Sequence, residues 1–162
     1  MAEKMSKDEL KAEARKKAHD YELQFHGCSQ AVLLALQEVL GIGDEVSFKA
    51  ASALCAGLGM SKTCGALTGG VMALSLKKGR ERIEQGMDAL VPGMLLAQRL
   101  VKKFEREFNT TVCYEITGVD WTDFAAVTKL LSDPQSADQL ERCAQIVGRT
   151  AEMVVEMIGE DQ

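Results

Sequence analysis

Five cysteines are the residues of this 162-residue chain best suited to chemistry. A thiol can act as a nucleophile or a disulfide partner, and as a thiolate it is a soft ligand for zinc or an iron–sulfur cluster. No two of the cysteines are spaced Cys-x-x-Cys, so the common zinc-ribbon, thioredoxin and ferredoxin patterns are absent. Any shared site must therefore be assembled by the fold from distant positions: Cys28, Cys55, Cys64, Cys113 and Cys143.

Position within the predicted elements singles out four of them. Cys28, Cys64 and Cys113 stand at or near the start of a predicted helix, where unpaired backbone N–H groups and the helix dipole favour the thiolate and lower its pKa. Cys28, Cys64 and Cys143 also lie on apolar stripes that face the interior. The glycines at 57, 59 and 65 would let backbone amides approach the sulfurs. We expect one inward-facing site built from four thiols.

Simple packing is the alternative for each cysteine taken alone. Free cysteine is among the most buried residue types and behaves as a small hydrophobe. We assign Cys55 to the core on this ground, because it lies in a bland segment rich in alanine and leucine. His26 precedes Cys28 by two residues and is either a hydrogen-bonding neighbour of the site, an alternative ligand or a surface histidine at a helix end. His19 has the same alternatives.

The elements that must position these residues are helices, and we predict an all-α, single-domain bundle of six to eight of them. Ser6 and Glu9 form a capping-box sequence that opens a charged helix running to about Phe25. Glycine is expected to end the next helices, at Gly41 and Gly79. Thr63 is the expected N-cap of a helix that begins at Cys64. Apolar spacing in the first helix predicts an inward stripe of Leu10, Ala14, Ala18, Tyr21 and Phe25.

The segment from 81 to 108 has the clearest periodicity in the chain. Its register continues across Pro92, which predicts one long helix although proline is costly inside a helix. We expect the stripe to pack in the core, with a two-fold contact in a homodimer as the alternative. Met87 and Met94 are then packing residues. The stripe is Ile83, Met87, Leu90, Met94, Ala97, Val101, Phe104 and Phe108.

Composition excludes several classes of protein. Hydrophobic residues make up 46% and charged residues 27% of the chain, as in ordinary globular domains. The formal net charge of −5 argues against nucleic acid and anionic membranes as partners. No secretory signal and no apolar window long enough to span a membrane is visible. We therefore expect a single cytoplasmic domain over residues 1–162.

The six residues Cys64-Gly-Ala-Leu-Thr-Gly69 introduce a resemblance. They match the Cys-Gly-Ala-x-x-Gly signature of the C_GCAxxG_C_C family of redox-active proteins, a mostly helical group found largely in anaerobic bacteria and archaea. The family carries one cysteine before the signature and two after it, and Cys28, Cys113 and Cys143 look like these three. The similarity covers about residues 22–157. Cys55 lies within this range but outside the four-cysteine pattern, and the charged N-terminal helix of residues 1–21 lies outside the similarity.

The resemblance implies a redox or electron-transfer protein in which Cys28, Cys64, Cys113 and Cys143 hold an iron–sulfur cluster. It implies an unidentified redox partner protein and names no substrate. The residues leave two alternatives open. One is a thiol–disulfide protein in which Cys64 is the nucleophile and another cysteine resolves it. The other is a helical interaction domain with a zinc ion or with no metal.

Overall fold

The computed structural model describes residues 5–160, which form eight α-helices and short 3₁₀ turns without a β-strand. The expected all-α class is confirmed. No helix in the described part of the chain has the length and apolar character needed to cross a lipid bilayer. The helices are α1 (Lys7–Phe25), α2 (Cys28–Leu40), α3 (Glu45–Ala50), α4 (Gly65–Lys78), α5 (Gly86–Phe108), α6 (Cys113–Thr117), α7 (Phe124–Ser132) and α8 (Ala137–Glu160).

Local sequence sets most of the helix ends. Ser6 and Glu9 exchange backbone and side-chain hydrogen bonds in the expected capping box, so α1 begins where predicted. Gly41 ends α2 in the left-handed conformation and Gly79 ends α4. The predicted Thr63 cap is wrong by one residue, because Cys64 itself takes the extended conformation that precedes α4.

The core lies between α1, α2, α4 and α8. Helix α1 packs along α8 and α2, and α4 packs on α2 and α8 with α5 against its outer side. Small residues allow this close packing: Ala14, Ala18, Ala35 and Ala151 are fully buried. Helix α3 is short, and residues 52–54 after it form a separate 3₁₀ turn.

The inward face of α5 agrees with the predicted stripe in its second half, where Phe104 is buried and Val101 and Phe108 pack against the core, and differs from it in the first half. One helix does run through Pro92, as predicted, but its buried residues are Gly93, Leu96, Leu100 and Phe104. Its first half carries apolar residues on every side, so the periodicity there does not select one face. Met87 and Met94 are 60% and 46% exposed, and their assignment to the core is wrong. The homodimer contact through this helix remains a prediction.

The last turn of α1 also departs from the prediction. Phe25 is 70% exposed, whereas Glu22 is only 9% exposed. The buried row is Ala14, Ala18 and Glu22, spaced by four residues. Because residues four apart lie on one face of a helix, the row that begins with two alanines ends on a carboxyl group, and the aromatic ring turns to solvent.

His19 joins α1 to α8 and gives a pH-dependent contribution to stability. Its Nε2 lies 2.8 Å from Glu141 Oε1 and its Nδ1 3.2 Å from Asp20 Oδ1. The hydrogen bond with Glu141 is the main cause that raises the pKa of His19. A raised folded-state pKa gives stability that is complete below the unfolded pKa of about 6.5 and is lost as the pH rises through the folded value.

We expect His19→Gln to remove this dependence. Urea unfolding at pH 6 and pH 9 measures the free energy of unfolding of both proteins. Between these pH values the wild-type protein should lose up to about 1 kcal/mol more than the variant, the usual size for a partly exposed ion pair. Equal losses in the two proteins would show that His19 does not supply the effect.

Candidate functional site

Cys28 is fixed by an abrupt turn between α1 and α2. His26 and Gly27 both have positive φ angles, 59° and 88°, so the chain reverses within two residues. Glycine adopts this conformation without strain. The reversal makes Cys28 the first residue of α2, as predicted, and places it beside the last turn of α1, which carries Glu22.

The glycines of the signature allow the start of α2 to lie against the start of α4. A Cβ atom on Gly65 would lie 2.3 Å from Cys28 Sγ and 2.9 Å from Cys55 Cα. A Cβ atom on Gly69 would lie 2.4 Å from the carbonyl oxygen of Ser29. These spaces are filled by α2 and, at Gly65, also by the backbone of residues 54 and 55, so both positions need glycine. The signature therefore places the Cys28 sulfur next to the backbone that follows Cys64.

A single antiparallel β-bridge joins Cys64 to Cys113, which are distant in sequence. The bridge pairs Thr63 with Val112. The N–H of Cys64 donates to Thr111 O at 2.8 Å, and the N–H of Cys113 donates to Lys62 O at 2.5 Å. This exchange holds the start of α4 beside the start of α6. Cys113 is the first residue of α6, as expected.

All four predicted site cysteines line one cavity. Cys143 reaches it from the second turn of α8, and the other three reach it from the starts of α2, α4 and α6. The rest of the wall is mainly apolar. Cys64 and Cys113 are buried, and Cys28 and Cys143 are half-buried. The other lining residues are Glu22, Ala56, Ile116, Thr117, Trp121, Ile146 and Val147.

Burial keeps these thiols protonated, contrary to the predicted lowering of their pKa. Loss of solvent raises the pKa of Cys64 and of Cys143 to about 12. It raises the pKa of Cys28 well above its usual value and that of Cys113 as well. The N–H groups at the first turn of α4, from Ala66 and Leu67, do act in the predicted direction on the Cys64 pKa, but the desolvation effect is larger.

Two cavity residues were missed by the sequence analysis. Glu22 has its pKa raised to about 7 by burial, and its Oε2 is buried without a hydrogen-bond partner. The indole Nε1 of Trp121 is also buried without a hydrogen-bond partner. The signal for Glu22 was its position four residues after Ala18 on the buried row of α1. Trp121 lies in the 118–123 connection, where no periodicity indicates direction.

The remaining candidates lie outside the cavity wall. Cys55 is half-buried, next to Gly65, and its thiol donates to Ser52 O at 3.2 Å. His26 is half-buried at the end of α1 and does not line the cavity. Among the predicted glycines, Gly57 approaches the backbone of Lys62 rather than a sulfur, and a Cβ on Gly59 would meet no atom within 4 Å.

The chemistry of the donor set fits a thiolate-bound group, whereas the geometry is not that of a single-ion site. In residues 5–160, no three or more His, Cys, Asp or Glu side chains are arranged to hold one metal ion. A zinc ion needs its sulfurs at about 2.3 Å from one point. A cluster distributes its cysteine ligands over several iron atoms, and hydrogen bonds to its sulfurs influence its potential.

Comparison with known proteins gives one match. The family model described as "Putative redox-active protein (C_GCAxxG_C_C)" matches residues 26–157, which include all four cavity cysteines. The match begins four residues later than the expected similarity from residue 22. No curated protein and no solved structure matches the chain.

Proposed function

Since the chain belongs to the C_GCAxxG_C_C family of redox-active proteins, we propose that it is an electron-transfer protein that binds an iron–sulfur cluster. The ligands are the four cavity cysteines, Cys28, Cys64, Cys113 and Cys143. The observation that carries the proposal is that these four side chains come from four separate helices and line a single cavity. Soft thiolates are the usual protein ligands of such clusters.

Ligation by the four cavity cysteines requires that their thiols lose their protons. Four thiols that are protonated because they are buried cannot become four thiolates without a compensating charge. Bound iron would supply this charge as the thiol protons leave to solvent. Backbone N–H groups already favour the anionic form of two of the sulfurs, at Ala56 for Cys28 and at Ala66 for Cys64.

When bound, the cluster supplies one-electron redox chemistry. The chain's own contribution is to hold and shield it. Ile116, Ile146 and Val147 form apolar wall around the sulfurs. Such a wall keeps water away from the sulfurs, and solvent exposure is one of the factors that set a cluster's potential. Electron transfer requires a redox partner, which we take to be another protein.

A thiol–disulfide protein is the second candidate. The close approach of Cys28 Sγ to the backbone at Gly65, next to Cys64, favours it. The raised pKa of Cys64 weighs against it, because the thiolate is the attacking species. A buried thiol with a pKa of about 12 is a poor nucleophile near neutral pH.

Anaerobic purification tests the proposal. The protein should contain iron and acid-labile sulfide and should absorb visible light, with the absorption bleached by dithionite. Loading of metal-free protein with iron and sulfide should restore the same spectrum. A colourless protein that takes up no iron, and whose cysteines form a reversible disulfide, would support the second candidate instead.

A further inference from the structure

Two unpartnered polar atoms lie on the wall of the same cavity. In the described part of the chain, Glu22 Oε2 and Trp121 Nε1 are the buried side-chain nitrogen and oxygen atoms without a hydrogen-bond partner. Both residues line the cavity with the four cysteines. A buried polar atom without a partner costs about 1–3 kcal/mol. Their shared position indicates that the cavity is built around a polar guest.

The backbone of Trp121 is held by the loop that precedes Cys64. Its N–H donates to Ser61 Oγ at 2.8 Å, and Ser61 Oγ donates to Val119 O at 3.0 Å. Ser61 is buried with a φ angle of 55°, so its hydroxyl is directed by an unusual backbone conformation. The backbone that carries the indole is thus tied to the start of α4.

The indole shares the cavity wall with Cys113. The adjacent residues Ser61 and Lys62 accept hydrogen bonds from the backbone N–H groups of Trp121 and Cys113, so the two residues are held side by side. An indole N–H can only donate. A neutral thiol is a weak acceptor, whereas a thiolate accepts a charge-assisted hydrogen bond that is roughly twice as strong as a neutral one.

We propose that Trp121 is a positioning residue of the redox site, whose N–H donates a hydrogen bond to the cluster-bound sulfur of Cys113. This inference rests on the proposed function. Reduction adds negative charge to the cluster and its sulfurs, so the hydrogen bond is stronger in the reduced state. Trp121 therefore raises the reduction potential of the site, as hydrogen bonds to cluster sulfurs do.

The chain offers a precise test because Trp121 is its single tryptophan. Expression with the tryptophan analogue in which sulfur replaces the ring N–H changes this position alone and keeps the bicyclic shape. Trp121→Phe is a second variant. The matched control is Tyr114→Phe, which alters a 54% exposed aromatic residue next to Cys113. Each protein is loaded anaerobically with iron and sulfide, and its midpoint potential is measured by dithionite titration.

We expect the analogue to bind iron as the wild-type protein does and to have a more negative midpoint potential. A tenfold change in the relative stability of the two redox states is about 59 mV for a one-electron couple, and a shift of this order is expected. The control should show no shift. An unchanged potential in analogue protein with full iron content would overturn the inference alone. Failure of the wild-type protein to take up iron would overturn the proposed function as well.

An independent measurement covers the case in which the analogue protein does not fold. The indole ¹H–¹⁵N resonance of Trp121 is the single one of its kind in the spectrum. Loading of the wild-type protein should move it strongly, or broaden it through the unpaired electrons of the cluster. A resonance at the same position before and after loading would contradict a hydrogen bond from Nε1 to the site.

Discussion

We expect the chain to lose at least about nine-tenths of its bound iron and sulfide when serine replaces any one of the four cavity cysteines. The reason is that the proposed cluster takes all its protein ligands from these four thiols. Each cysteine comes from a different helix, and none of these helices carries a second cysteine that could take the place of a lost one. A serine hydroxyl keeps the approximate size but is a harder ligand that iron–sulfur clusters do not favour. The four variants are C28S, C64S, C113S and C143S.

Cys55→Ser is the matched control for this series. Cys55 is half-buried and its Cα lies close to Gly65, but it does not line the cavity. The control protein should retain the iron content and visible spectrum of the wild type. Thermal unfolding of all five variants in the metal-free state separates loss of ligand from loss of fold. If C55S lost its iron and one of the four others retained it, the assignment of ligands would be wrong.

The second large effect is expected at Gly65. Alanine there would place Cβ 2.3 Å from Cys28 Sγ and 2.9 Å from the Cα of Cys55. Because the contact with Cys55 is a contact with backbone, we expect the start of α2 to shift and to carry Cys28 away from the other sulfurs. We expect Gly65→Ala to lower the free energy of unfolding by about 1–3 kcal/mol, as overpacking does. We also expect it to abolish cluster binding.

Gly93→Ala is the control for this substitution. Gly93 is also a buried helical glycine, but its added Cβ would lie 3.5 Å from the nearest atom outside its own helix, Gly79 Cα. Alanine is favoured over glycine inside a helix by about 1 kcal/mol. The variant should therefore be as stable as the wild type or more stable, with full iron content. A G65A protein that binds the cluster normally would refute the close approach of Cys28 and Cys64.

Local signals in the sequence predicted where helices begin and end, but not which face of a helix is buried. The Ser6 capping box and the glycines at 41 and 79 act within one turn of chain, so the helix ends they predict are found in the structure. Which face is buried depends on neighbouring helices. In α5 both Leu96 and Met94 are apolar, and only the position of α4 decides that Leu96 is the buried one.

The sequence predicted which four cysteines meet, but not the protonation state of their thiols. Helix starts and apolar stripes selected Cys28, Cys64, Cys113 and Cys143, and the structure brings all four to one cavity. The bridge between Thr63 and Val112, which joins two of them, is a long-range contact that no local pattern indicates. The direction of the thiol pKa shifts was wrong because the depth of burial, which outweighs the helix N–H groups, follows only from the assembled core.

Native mass spectrometry of the anaerobically loaded protein is the most direct test that the four thiols hold one group. The account predicts one cluster per chain, seen as the added mass of iron and sulfide less that of the displaced thiol protons. The C64S protein should show the mass of the bare chain. A wild-type mass reduced by the hydrogen atoms lost in a disulfide, or increased by a single zinc ion, would contradict the account.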